Sequence, residues 1–324
     1  VSKNNSIDLK KNEASDLVGC CAQLAALLEV SAYPKPGNVH RLHDFPVTKY
    51  EHFLAGSVSL FPSMRSLARS GYEVRNGSKD WLELGIGSRI LDAVKESFRW
   101  QNGGNVNLGI NFLFAPISAA AGYILGGDSW DLNELRKIIQ IITKSTTLRD
   151  SVNLYEAIRI SMTNRVLGQV AELDVNNDSS IRQIKKNRIT LYEIFQKCSS
   201  YDTICREWVS GYEITFTKGY SFLSKSLKKT NDINSVIVDT FLHILSEEPD
   251  SLIQRKNDLQ TALDVSKKAK AIMNEGGYAS KKGYELIVTL DKELQEAGGQ
   301  LNPGTTADIT AASIYLILLE GWRP

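Results

Sequence analysis

The sequence predicts an all-α protein: a single multi-helix globular domain with a central buried apolar helix. Three observations carry this. Apolar residues recur at three- and four-residue spacing over Leu17 to Val30, Ile90 to Phe98, Leu132 to Ile142, Val152 to Ile160, Ile189 to Phe195 and Ile309 to Leu319, the period of a helix that buries one face. Strand-like alternation bounded by turn residues is scarce, and no run of βαβ units occurs. Prolines number only eight in 324 residues, and several stand beside expected helix ends, where a missing N–H costs least.

The elements follow in chain order. Residues 1–14 are polar and charged. They lack the apolar stretch of a signal peptide and are expected to form a polar tail before a domain spanning 15–324. The longest apolar run, Leu108 to Leu125, reaches the length at which a membrane span must be weighed. It contains Asn111, Pro116 and Ser118 and follows a polar loop, so a buried core helix is the expected reading. Polar stretches at Asp174 to Ser180 and Lys225 to Ser235 are expected surface loops. No internal repeat is visible.

Composition narrows the function classes. Hydrophobic residues make up 42% of the chain, enough for a sizeable core. The formal net charge of +1 gives no global pull toward nucleic acid or an anionic membrane surface. Cys20 and Cys21 are adjacent. Cys198 and Cys205, seven apart, are expected on one helix face two turns from each other, too far to bridge. No pair has a zinc spacing. Reduced thiols in a soluble, cytoplasmic protein are expected.

Familiar nucleotide and hydrolase motifs are absent. Gly85-Ile86-Gly87 lacks the third glycine of a dinucleotide turn. The stretch Gly103 to Gly109 has no Lys-Ser/Thr pair after it, so it is not a Walker motif. No nucleophile elbow or His-Glu-x-x-His zinc motif occurs.

Five polar segments at the mouths of apolar helices remain. In Pro34-Lys35-Pro36-Gly37-Asn38-Val39-His40-Arg41-Leu42-His43-Asp44-Phe45 the prolines stiffen the backbone, which can aim Lys35 at a phosphate. An ordinary surface loop is the plain alternative. In Gly103-Gly104-Asn105-Val106-Asn107, either asparagine could cap the helix that follows, and the free N–H groups there equally suit an anion or a ribose. Asp150 and Asn153 share a helix face, and Asp150 could also be a capping acid. Asp239 and His243 are i,i+4 neighbours able to hydrogen-bond. Finally, Asn302-Pro303-Gly304-Thr305-Thr306-Ala307-Asp308 precedes a strongly apolar helix. Thr305-x-x-Asp308 fits a capping box, yet a carboxylate at a buried helix start wants a cationic partner. Together the segments suit a Mg–triphosphate, with carboxylates for the hard cation and basic groups for the oxygens.

In this order the segments resemble the triphosphoribosyl-dephospho-CoA synthase family, in a divergent, archaeal-like branch. The family's Pro-Lys/Arg-Pro-Gly-x-Val turn is matched by Pro34 to Val39, and its His/Asp element by His43-Asp44. The Asn-x-Asn-x-Gly stretch is matched by Asn105, Asn107 and Gly109, and a helix with Asp before Asn-Leu-Tyr by Asp150 to Tyr155. Pro249 to Lys256 and Pro303 to Ala311 match two further motifs. The resemblance covers roughly Leu17 to Gly321. Where bacterial members carry Ser/Ala-His-x-Asp-Met after the Pro-Gly turn, this chain has His-Arg-Leu-His-Asp-Phe.

The resemblance implies an all-α transferase. In the family the 2′-hydroxyl of 3′-dephospho-CoA attacks C1′ of the ATP ribose, adenine leaves, and a prosthetic-group precursor is formed. On that basis Lys35 and Arg41 are expected to hold phosphates, and Asn105 and Asn107 to contact ribose or phosphate. Asp150 and Asp308 are expected to serve as Mg²⁺ ligands or as carboxylates facing the oxocarbenium centre. His43 with Asp44, or His243 with Asp239, is the expected base. Asn38, His40, Asn153, Arg255, Thr305 and Thr306 complete the set expected to face ATP. Partners are then ATP with Mg²⁺ and dephospho-CoA or a related acceptor, without nucleic acid or membrane; a homo-oligomer is compatible. Two other readings stay open: the same donor with another coenzyme-pathway acceptor, and a helical nucleotide-binding protein without turnover.

Overall fold

The computed structural model describes residues 3–127, 129–162 and 178–324, and among these no β-strand occurs. The first helix, α1 (Lys3–Ser31), is 29 residues long. The segment expected as a polar tail therefore enters a helix at Lys3. Its polar turns are held down by Lys11, whose ammonium lies 3.0 Å from Asp8 and 3.7 Å from Glu73 of α3 (Phe61–Arg75). Between them runs the short α2 (Tyr50–Val58).

The expected core helix forms as α5 (Leu108–Leu125), preceded by α4 (Ile86–Trp100). By length and hydropathy α5 could cross a membrane, but 78% of it is buried inside the fold. Small residues let neighbours approach. A methyl group on Gly71 of α3 would stand 1.8 Å from the Ala119 carbonyl oxygen, and one on Gly122 of α5 would stand 1.9 Å from that of Ala68. Glycine is thus fixed at both positions by backbone contact.

On the outer side lie α6 (Leu132–Lys144), α7 (Leu148–Ser161), α8 (Asp178–Asn187), α9 (Leu191–Cys198) and α10 (Thr203–Ser210). Of the loop expected at 174–180, residues 178–180 belong to α8, and 174–177 lie outside the described residues. A π-helical turn, Thr215–Tyr220, leads into α11 (Ser221–Leu227), and α12 (Ile233–Glu247) follows. The loop expected at 225–235 shrinks to the residues between those two helices. The chain ends with α13 (Ser251–Lys256), α14 (Leu259–Asn274), a 3₁₀ turn at Gly277–Ala279, α15 (Lys281–Glu296) and α16 (Gly304–Leu319).

α16 is the second buried helix and packs on α5 and α1. Tyr315 joins all three. Its ring lies 4.5 Å from that of Phe114, and its hydroxyl is 2.9 Å from Ser118 Oγ and 3.2 Å from the Val18 carbonyl. A buried phenol with partners for its hydroxyl contributes packing without an orphaned polar atom.

One sequence expectation is overturned. Cys198 and Cys205 are bridged. They do not share a helix: α9 ends at Cys198, the chain turns, and Cys205 lies in the first turn of α10. The turn brings their α-carbons to 5.8 Å, within the reach of a disulfide. Cys20 and Cys21 are free thiols, and burial pushes the Cys21 thiol up to about 11.

Candidate active site

The site is built around Asp308. α16 begins at Gly304 behind Pro303, with no side-chain cap. Thr305 and Thr306 are already helical, so the Thr305-x-x-Asp308 capping box does not form. Asp308 sits one turn into the helix, half-buried, with no hydrogen-bond partner among the described residues. Its carboxylate rests on Gly109 of α5, where an added methyl group would stand 1.9 Å from Oδ2. Burial raises this carboxyl well above the ordinary carboxylate range. The negative fields of Glu29, Asp250 and Asp202 add to the shift, and Arg255 opposes it. Asp308 thus holds its proton unless positive charge arrives beside it.

The start of α16 is anchored by Asp250. Its Oδ1 accepts from Leu252 N (2.8 Å) and Ile253 N (3.1 Å), and its Oδ2 accepts from Thr306 N (2.7 Å) and Thr306 Oγ1 (2.8 Å). The Ser251 hydroxyl lies 3.2 Å from Thr305 Oγ1 and accepts from Thr203 N. Thr305 and Thr306 are therefore buried joints between α16, α13 and α10, with their hydroxyls engaged. Arg255 pairs with Asp202 at 2.9 Å, and Asp202 also caps α10 through Cys205 N.

The Pro34 to Phe45 segment folds tightly after a cis Tyr33–Pro34 bond. Lys35 is buried, and its ammonium donates to the Glu29 carbonyl at 2.8 Å and to the Glu29 carboxylate. Burial pushes Lys35 down and Glu29 up, and their attraction opposes both shifts; Asp308 and Asp291 also act on Lys35. Gly37 takes φ +73° and donates its N–H to Asp291 Oδ1 at 3.0 Å. His40 donates from Nε2 to Asp291 Oδ2 (3.1 Å) and accepts from Leu42 N at Nδ1 (3.2 Å). Asn38 donates to the Pro36 carbonyl at 3.3 Å, while its own carbonyl accepts from Gln295. Lys35, Asn38 and His40 thus hold the turn itself together.

The remaining residues of that segment reach the surface. Exposed Arg41 donates to Asn234 Oδ1 at 3.1 Å, 5.9 Å over the Tyr33 ring. Asp44 accepts from Tyr50 N at 2.8 Å and so serves the start of α2. His43 pairs with His40 through the backbone, and its ring lies 6.0 Å from that of His40 and 6.5 Å from that of Phe45; the half-buried ring has no hydrogen-bond partner among the described residues.

Four expected site residues lie elsewhere. Both Asp150 oxygens are engaged: Oδ1 accepts from Gly87 N (2.8 Å), and Oδ2 from Thr147 N and Oγ1 (2.8 Å each). Asp150 completes the capping box of α7, whose N-cap is Thr147, and ties α7 to α4, and its partners are not those of Asp308. Asp239 accepts from Tyr278 N at 2.8 Å, and burial raises it to about 6. His243 does not hydrogen-bond Asp239. It stacks on Phe222 at 4.5 Å, and burial lowers its pKa. Asn153 is half-buried on α7, without a hydrogen-bond partner among the described residues.

At the start of α5, Asn105 accepts from Leu108 N at 3.1 Å, so the cap role falls to this residue. Asn107 occupies the N-cap position but its side chain caps nothing.

Residues from three separate segments therefore surround Asp308: Lys35 and Arg255 through their charges, Gly109 by contact, and the Asp250-anchored turn that carries Arg255. Sequence reasoning missed Glu29 and Asp291. Glu29 was signalled by an acid on an otherwise apolar stretch six residues before Lys35. Asp291 lies on an amphipathic helix among exposed acids, where nothing sets it apart.

Comparison with known proteins finds relatives over nearly the whole chain. The family model for ATP:dephospho-CoA triphosphoribosyl transferase matches residues 15–324. A Salmonella gallinarum protein named "Probable 2-(5''-triphosphoribosyl)-3'-dephosphocoenzyme-A synthase" is 22% identical over 311 residues, covering 94% of this chain and 90% of its own. A protein of the same name from Streptococcus mutans is 23% identical over 297 residues, covering 91% and 93%. A crystal structure from Archaeoglobus fulgidus, assigned to triphosphoribosyl-dephospho-CoA synthase, superposes with a TM-score of 0.64 at 29% identity. It covers 85% of this chain and 100% of that one. The chain belongs to the ATP:dephospho-CoA triphosphoribosyl transferase family.

Proposed function

We propose that this chain transfers the 5-triphosphoribosyl group of ATP to the 2′-hydroxyl of 3′-dephospho-CoA and releases adenine. The observation that carries the reading is the unpartnered Asp308 carboxyl, seated on Gly109 and facing the fields of Lys35, Arg255 and three other acids.

In this reaction the acceptor oxygen bonds to C1′ of the ribose. The C1′–N9 bond breaks, and its electron pair leaves with adenine. The proton lost by the hydroxyl is balanced by the proton adenine gains. Positive charge grows at C1′, and an adjacent carboxylate stabilises it. Asp308 fits that position. The same developing charge draws down its raised pKa, so its proton becomes available as the bond to adenine breaks.

Mg²⁺ enters with ATP as part of the substrate. No group of three His, Cys, Asp or Glu side chains among the described residues is arranged to hold a metal. A phosphate-borne Mg²⁺ needs only one or two protein carboxylates, and Asp308 would supply one. Asp150 is less suited, because both its oxygens already accept hydrogen bonds.

His43 is the favoured base for the acceptor hydroxyl. Its ring lies edge-on to Phe45 at 6.5 Å and 6.0 Å from His40, but neither ring nitrogen has a hydrogen-bond partner among the described residues, whereas His40 uses both nitrogens and His243 is stacked on Phe222. Arg255 is the favoured phosphate contact, since its side chain is 41% exposed even while paired with Asp202. ATP and dephospho-CoA are cytoplasmic metabolites, which sets the compartment this reading requires.

Incubation with Mg–ATP and dephospho-CoA, followed by chromatography for free adenine, tests the proposal. Adenine that forms only when dephospho-CoA is present supports it. Adenine formed only with a different acceptor keeps the donor and replaces the acceptor. Nucleotide binding without any adenine removes the enzymatic reading.

A further inference from the structure

Asn107 and Asn111 stand one turn apart at the start of α5 and are 3% and 2% exposed. Both polar atoms of the Asn107 carboxamide, and Oδ1 of Asn111, lack a hydrogen-bond partner. Buried amides without partners cost about 1–3 kcal/mol per group, so three such atoms on one face need an explanation. They are not cap groups, because Asn105 already accepts from Leu108 N.

The two asparagines line a small polar space together with Ser97 and Phe98 of α4 and Ser161 of α7. No charged side chain lines it. This is a different place from the Asp308 centre. Two residues along a helix turn about 200°, so Asn107 and Asn111 point away from the side on which Gly109 meets Asp308. The start of α5 thus separates a charged region from a neutral one.

A neutral lining does not suit a phosphate. A carboxamide with a free donor and a free acceptor suits a planar ligand edge that carries both, as asparagine does when it reads adenine. Of the groups in the reaction proposed above, on which this inference rests, the nucleobase is the uncharged planar one. We propose that this face of α5 is a nucleobase subsite, in which Asn107, backed by Asn111, hydrogen-bonds the edge of the departing adenine. The space is water-sized as it stands, about 10 Å³. Entry of a base requires outward movement of the Gln101–Val106 segment, which has open space at Gly104 and releases the Thr48 Oγ1 bond to the Gly103 carbonyl.

Calorimetry on the full chain tests this, with adenine and inorganic tripolyphosphate as separate probes. Asn107→Leu is expected to weaken adenine binding at least tenfold while tripolyphosphate binding changes less than twofold. Because the Asn107 side chain makes no hydrogen bond, the variant loses no hydrogen bond of the fold. On the wild type, hypoxanthine, which lacks the exocyclic amino donor, is expected to bind at least tenfold more weakly than adenine. Equal adenine affinity in Asn107→Leu and wild type, or equal affinity for both purines, would overturn the subsite and leave these amides holding internal water only. A wild type that binds adenine through Asn107 yet releases none from ATP would uphold the subsite and sink the transferase reading instead.

Discussion

The carboxylate of Asp308 rests directly on the α-carbon of Gly109: a methyl group there would stand 1.9 Å from Oδ2 and 2.5 Å from Cγ. Two segments nearly two hundred residues apart are thereby held to a single register. Gly109→Ala should displace the carboxyl by about an ångström and reduce adenine release by roughly 100-fold. Alanine favours a helix over glycine by about 1 kcal/mol, which partly offsets the crowding, so the circular-dichroism spectrum should stay helical. Wild-type turnover in this variant would show that Asp308 has no fixed role.

Asp239 and Asp308 are two of several raised carboxyls that contribute to the pH dependence of stability. Asp239 moves from 3.8 to about 6, and Asp308 moves well above its ordinary value, both chiefly through burial. With the folded pKa above the unfolded one, the native chain binds the extra proton inside the window. Stability is therefore fully present below the unfolded value and declines as pH rises through the folded one. Thermal melts from pH 4 to 8 should show a falling Tm. Asp239→Asn should flatten the part of the fall between pH 4 and about 6. A parallel slope in that variant would contradict the assignment.

Asp150 is predicted to position helices and to take no part in the chemistry. Asp150→Ala removes the reciprocal half of the Thr147 capping box and leaves Gly87 N without its partner. A cost of about 2–4 kcal/mol is expected, with kcat per folded molecule changed by only a few-fold. Denaturant unfolding beside single-turnover kinetics separates the two effects. A collapse of kcat at unchanged stability would return Asp150 to the catalytic set.

The buried Lys35–Glu29 pair makes a different prediction. Removing either charge alone leaves the other unpaired in the core, at a cost of about 3–5 kcal/mol. Lys35→Met combined with Glu29→Gln should recover most of that loss. Additive destabilisation in the double variant would mean that the two residues act independently.

Much of the fold was legible because helical periodicity reports local burial. The segments over Leu17 to Val30 and Leu108 to Leu125 both fall inside the helices that formed. The Cys198–Cys205 bridge was illegible for the opposite reason: it depends on a turn between two short helices, where spacing along one helix says nothing. At the site, Asp308 could be singled out because an acid heading an apolar helix is costly unless it has a purpose. Whether Thr305 capped it was decided only by where α16 starts. Asp150 shows the converse. A capping acid and a catalytic acid look alike in sequence, and only the hydrogen bonds to Gly87 and Thr147 distinguish them. That Asp291, some 250 residues onward, engages His40 and not His43 is likewise invisible in the sequence.

The central claim concerns Asp308 and the bond to adenine. The direct measurement is free adenine released from Mg–ATP in the presence of dephospho-CoA, by wild type and by Asp308→Asn, each with its thermal melt. The account predicts acceptor-dependent adenine from the wild type. It predicts none from Asp308→Asn, whose Tm at neutral pH should equal or exceed that of the wild type because a buried ionisable group is gone. Near-normal adenine release by a folded Asp308→Asn would contradict it.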